Sequence, residues 1–355
     1  MAKASENSHY LALDAARGLA AIAVFLYHYK GQIHVFGLIS GSFLAVDLFF
    51  LMSGLVIARA YERRLMSGEM GFVRFTAVRV LRLWPLYLAA CAFGMVHFLG
   101  KIAMDTPDAP RLAQVLWALP LTLLLLPTPG SKTWAFGAIP FSTSAWTLTF
   151  EFWFNLAYVL LLPWLSSRVL MGVTVVALAV LVWQVHLYQT ADLGWSLETF
   201  PGGSARFWFS FSLGVLIHRS GVLSRAPQVP GWVLFPVTFA FVLLPANAVW
   251  WQLLWIAVIF PGFVILAARL PMSAVLAGLS DHLGRLSYAI YILHASVSVL
   301  ILGQIKVWAP HLLRGHELLL AVILIPTVLI ISALLTYRFD EPLRARLSRK
   351  GKATP

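Results

Sequence analysis

Three ionisable side chains, Asp14, Arg17 and His28, lie in one apolar stretch near the start of the chain, LDAARGLAAIAVFLYHYK, residues 13–30. Each helical residue turns by ~100°, so positions eleven apart return to within roughly 20° of one another. Arg17 and His28 therefore share a helix face, ~16 Å apart along the axis. Asp14 lies one turn below Arg17. An imidazole accepts a proton near neutral pH, and a guanidinium pairs bidentately with phosphate. Each charge costs at least a few kcal/mol at bilayer depth, so this stripe requires partners or a ligand.

Further groups of the same kind follow. Asp47 lies in SFLAVDLFFLMSG and Glu151 in TLTFEFWFN, where an isolated carboxylate is neutral or partnered. Arg79 and Arg82 are three apart and share a helix face, with Pro85 a turn later.

The elements that position these groups follow from composition. The chain has 355 residues, 60% hydrophobic and 11% charged, with mean hydropathy +0.83. A soluble domain averages about 25% charged residues, so the chain is read as a polytopic membrane protein. Its net charge of +12 is concentrated in a few loops, which fits cytoplasmic loop bias and not nucleic-acid binding. The single cysteine, Cys91, excludes an intrachain disulfide. The first apolar segment, interrupted by ionisable residues, is read as a retained span and not a cleaved signal.

Apolar runs cover about 13–30, 42–59, 83–100, 113–127, 144–164, 169–187, 205–218, 231–246, 250–268, 287–304 and 317–337. If all crossed, Arg168 and the basic tail would lie outside, against the positive-inside rule. The run 113–127 holds Pro120 and Pro127 and is shorter than the ~20 residues a span needs. Reading it as re-entrant or shallow leaves about ten spans with both termini cytoplasmic. The expected fold is an all-α transmembrane bundle, one domain over 1–355 with no extra-cytoplasmic C-terminal domain.

This topology sorts the polar residues by depth. Arg17, Arg79 and Arg82 fall at the inner level, suited to a phosphorylated ligand. His28, Asp47 and Glu151 fall at the outer level, suited to proton transfer. Structural roles compete: Asp14 as the partner of Arg17, the arginines as cytoplasmic anchors, His28 as a solvated interface residue.

The residues now collected resemble the membrane acyltransferase-3 family, integral-membrane O-acyltransferases. LDAARGLAAIAVFLYHY is similar to its first-span motif, and AVDLFFLMSGLVIARAY to its second, with Asp47, Phe49, Phe50, Ser53 and Gly54. FVRFTAVRVLRLWPLY resembles the arginine-rich start of span 3. SAWTLTFEFWFN resembles a Trp-Ser-Leu-x-x-Glu motif, with Thr147 in the serine place. LGRLSYAIYILHASV and YRFDEPLR resemble the late-span and terminal Glu-Pro motifs. The six occur in family order over most of the chain.

The resemblance implies acyl transfer from cytoplasmic acyl-CoA, acetyl-CoA first, to a hydroxyl of a cell-surface or exported glycan at a bacterial inner membrane, with no metal. It implies His28 as base or transfer histidine, with Arg17 helping to place the donor; Glu151 and Asp47 are expected to polarise His28 or hold the acceptor. Arg17, Arg79, Arg82, Ser287 and Tyr288 are assigned to the donor. Trp146, Tyr291 and His294 are assigned to the acceptor. Direct and acyl-enzyme routes stay open, as does the oligomeric state. The alternatives are a proton-coupled transporter or flippase of a lipid-linked sugar or small molecule, and a non-catalytic assembly subunit.

Overall fold

The structure is a computed structural model, and it describes residues 10–29, 40–230, 248–313 and 315–350. Ten main helices organise these residues: α1 Leu11–His28, α2 Ala45–Ile57, α3 Phe72–Ala103, α4 Leu112–Leu123, α5 Trp146–Leu161, α6 Ser167–Tyr188, α7 Phe200–Ser220, α8 Val249–Ala267, α9 Ala274–Trp308 and α10 Glu317–Leu334. Among the described residues there is no strand. A π-helical turn, Ala58–Glu62, carries α2 on to Met66. Another, Leu335–Asp340, carries α10 into Glu341–Lys350, so the basic tail begins as helix.

Eight of the helical stretches are long and apolar enough to cross a membrane. Helix α7 is not among them, although it runs 21 residues. Gly202, Gly203, Ser204, Arg206, Ser210 and Ser212 lower its hydropathy, and neighbouring helices bury most of them. The expected span at 231–246 lies outside the described residues. Helix α4 has 12 residues, or ~18 Å, too short for a hydrocarbon core of ~30 Å. Pro120 lies inside it, and Leu125 just beyond it adopts φ +54°.

Two helices start well before the expected spans. Helix α3 begins at Phe72 and not 83, and α9 at Ala274 and not 287. Arg79, Arg82 and Arg285 therefore ride inside helices and not in loops. Arginine is a good helix former, and its stem lies along apolar surface while its head reaches outward. An apolar run ends at such a residue; the helix does not.

Lipid offers no hydrophobic force between helices, so close backbone approach at small residues holds the bundle together. Helices α1 and α9 meet at two glycines. A Cβ on Gly18 would lie 2.6 Å from Leu283 Cβ, and one on Gly284 would lie 2.6 Å from Asp14 Cβ. Helices α2 and α7 cross as tightly: Cβ atoms on Gly54 and Gly214 would fall 2.0 Å from the Phe211 carbonyl oxygen and 2.1 Å from that of Leu51. Phe50, Phe154 and Tyr158 pack around Phe207 and Phe211 of α7. Gly54→Ala forces the α2–α7 backbones apart. Thermal unfolding in detergent is expected to show a loss of ~1–3 kcal/mol, with no comparable loss for Gly172→Ala, where nothing crowds the new methyl.

Candidate active site

Helix α1 presents its polar stripe to α9. At its N-terminal end the Arg17 Nε donates to Ser287 Oγ at 3.0 Å. A terminal nitrogen of Arg17 donates to the Gly284 carbonyl at 3.0 Å and pairs with Asp14 Oδ1 at 3.0 Å. The glycine contact sets these distances, because it brings Asp14 against the α9 backbone.

At the other end of α1, His28 faces His294. The His28 Nδ1 lies 2.8 Å from the Val24 carbonyl and 3.3 Å from His294 Nε2. The His294 Nδ1 lies 3.2 Å from the Ile290 carbonyl. Carbonyl oxygens only accept, so both Nδ1 atoms carry the proton and both Nε2 atoms carry a lone pair in the neutral rings. The Ser144 hydroxyl, 3.3 Å away, then donates to His294 Nε2. His294 is fully buried, whereas the His28 ring is exposed. The arrangement fixes the His28 ring from behind.

Between these ends runs a cavity of about 320 Å³. It follows α9 from Asp281 to Tyr291, a rise of ~15 Å. Phe49, Leu86 and Leu148 line its middle, and Thr147 and Tyr291 line its far end, with Thr147 Oγ1 3.0 Å from the Tyr291 hydroxyl. Neither histidine lines it. It stops one helical turn short, since His294 follows Tyr291 by three residues. Tyr288 ties α9 to α3 by donating to the Leu83 carbonyl at 2.6 Å.

Among the described residues the cavity wall holds five arginines and five carboxylates. Arg17 pairs with Asp14, Arg79 with Glu151, Arg285 with Glu341 and Arg344 with Asp340. Arg82 is exposed and makes no ion pair with a described residue. Arg79 is buried and committed to Glu151.

Two sequence expectations are corrected here. Glu151 does not share a level with His28; it bonds Arg79 at 2.5 Å. Because α3 starts at Phe72, Arg79 and Arg82 stand ~10 and ~15 Å into that helix, which lifts them to the depth of Glu151. Asp47 does not face His28 either. It is 1% exposed, and both of its oxygens are held by Arg206, itself 0% exposed. The same guanidinium donates to the Leu193 and Phe43 carbonyls and lies 5.7 Å from the Trp146 ring. Trp146 thus packs on a structural ion pair. Beside Leu193, Asp192 accepts from the Tyr27 hydroxyl at 3.0 Å, so the same loop braces the residue next to His28.

Arg206 was legible as an anomaly: on the expected topology it lies at the outer end of a span, where arginine is disfavoured. Ser144 and the Arg285–Glu341 pair carry no comparable signal, because each depends on contacts between residues distant in the chain, whereas Arg344 and Asp340 are four apart on one helical stretch.

A helical bundle with eight stretches long and apolar enough to cross a membrane, and with polar side chains gathered along one internal seam, belongs to the class of multi-pass membrane proteins. The sequence pattern of the acyltransferase domain of the acyltransferase-3 family matches residues 10–337, and the chain belongs to that family. Half of the chain, 184 residues, is 36% identical to "Protein 2 in picA locus" of Rhizobium radiobacter, over 92% of that protein. No solved structure matches the chain.

The Asp47–Arg206 pair has a testable energetic signature. Asp47→Ala leaves a buried guanidinium uncompensated, and unfolding measurements are expected to show a loss of ~3–5 kcal/mol. Replacing both, as Asp47→Leu with Arg206→Met, is expected to recover most of that loss. A double variant no more stable than the single one would show that the pair is not the principal contact there.

Proposed function

We propose that this acyltransferase moves an acyl group, acetyl in the first instance, from cytoplasmic acyl-CoA to a hydroxyl of a cell-surface or exported glycan. On this reading it sits in the bacterial inner membrane with both termini cytoplasmic. The carrying observation is the cavity along α9, which is lined by arginines at one end and stops one turn short of the His28–His294 pair. A free small acid would not need that length; a thioester on a long arm does.

In the proposed reaction the His28 Nε2 takes the proton of the acceptor hydroxyl as its oxygen attacks the thioester carbonyl. The C–O bond forms and the C–S bond breaks. The thiolate leaves and receives the proton held on His28, so CoA departs as the thiol. His294 holds the imidazole by accepting at Nε2, and Ser144 holds His294. Arg17 and Arg82 line the donor path, with Ser287 fixing Arg17 and Tyr288 bracing the α3 wall. Thr147 and Tyr291 stand where the acyl group must pass. Trp146 contributes through its packing on Arg206. Transient acylation of His28 by the same attack geometry is an alternative route to the same products.

A proton-coupled carrier draws less support. Its titrating carboxylates would have to exchange protons with water, whereas Asp47 is enclosed and held by Arg206.

Glycan mass spectrometry on a producing strain tests the reading. Acyl mass increments are expected to disappear on deletion and to return with the wild-type chain but not with His28→Ala. Increments restored by His28→Ala would overturn the role of His28. In a purified assay, His294→Asn is expected to lower kcat about 10²-fold or more, with little change in KM for the thioester. Arg82→Ala is expected to raise that KM about tenfold or more and to leave kcat near wild type.

A further inference from the structure

A second chamber of about 1050 Å³ adjoins the cavity. Asp14, Arg17, Met52, Val56 and Arg82 line both, so the two communicate through a neck between α1, α2 and α3. Their charge differs sharply. Among the described residues the cavity is balanced, but the chamber is lined by five arginines and by two carboxylates, Asp14 and Glu62.

Its wall is the π-helical turn Ala58–Glu62, an irregularity that recurs at functional sites. Arg59 lies within that turn and Arg63 follows it. Arg63 is exposed and makes no ion pair with a described residue. The Arg59 guanidinium lies 4.3 Å from the centre of the Tyr10 ring, an existing stack of the kind a purine can join. Arg219 is otherwise engaged: it bonds Glu62 and the Leu165 carbonyl.

From this contrast we infer that the chamber at Arg59, Arg63 and Tyr10 binds the phosphorylated adenosine end of the donor, while the balanced cavity takes only its neutral arm. The inference rests on the donor being a CoA thioester and adds where each part of it lies. Arg82, at the neck, faces the phosphates that join the two parts. The assignment moves the phosphates away from Arg79, which Glu151 neutralises. It also explains why the narrow cavity carries no surplus charge: the pantetheine arm has none to match. An anionic lipid headgroup presents the same phosphate chemistry to the chamber, and the experiment separates the two sources.

Calorimetry on the full chain in zwitterionic nanodiscs reads the inference directly. Wild type is expected to bind CoA and also adenosine 3′,5′-bisphosphate alone. Arg59→Gln with Arg63→Gln is expected to weaken both about tenfold or more, with pantetheine binding unchanged. Arg74→Gln, which removes an exposed cation lining neither chamber nor cavity, is expected to leave all three unchanged. If the double variant folds poorly, Arg63→Gln alone, at an exposed position, serves in its place. The inference fails if the double variant binds CoA as tightly as wild type. It also fails if adenosine 3′,5′-bisphosphate does not bind and only vesicles containing phosphatidylglycerol distinguish the variants, since the chamber would then hold a lipid headgroup. Nucleotide binding without any acyl transfer would overturn the proposed function and leave this assignment standing.

Discussion

Helices α1 and α9 touch backbone to backbone at Gly18 and Gly284, and the polar seam depends on that contact. Two parallel lines of side chains are held in register by it. At one end Arg17 reaches Ser287 and the Gly284 carbonyl; at the other His28 reaches His294. A shift of either helix by one residue would rotate these partners by ~100° and separate them. In a bilayer, where apolar packing is not driven by water, such a register has to come from close fit and from polar pairs. The second tight crossing, α2 on α7, has the same character, and the Asp47–Arg206 pair locks it.

Much of the arrangement was legible in the chain. The spacing of Arg17 and His28 placed them on one face, and both do face α9. The brevity of 113–127 anticipated a helix too short to cross. What failed was the assignment of depth. Apolar runs stop at arginine, so Arg79 and Arg82 were placed at the inner level, apart from Glu151, although α3 carries Arg79 alongside it. Glu151 was consequently grouped with the histidine and not with its guanidinium partner. Asp47 shows a different limit. Its burial was foreseeable, but its partner lies 159 residues away, and no local pattern links the two. His294 was recognised from its motif, while its contact with His28 is purely tertiary.

The distribution of charge gives the seam a direction. Arginines concentrate where α1 begins, in the wall of the chamber and at the mouth of the cavity. In the cavity wall, all but Arg82 are already matched by carboxylates of the chain. Among the described residues Arg82, exposed at the neck, is the arginine of that wall without an ion-pair partner.

The Thr147–Tyr291 closure has a consequence for the membrane itself. A passage lined by arginines, carboxylates and histidines and open from face to face would conduct protons and small ions, and an energised bilayer could not sustain many copies of it. The cavity ends at Thr147 and Tyr291, with the buried His294 ring behind them. An energised bilayer requires a barrier of that kind, and these two hydroxyl-bearing side chains stand where one is needed.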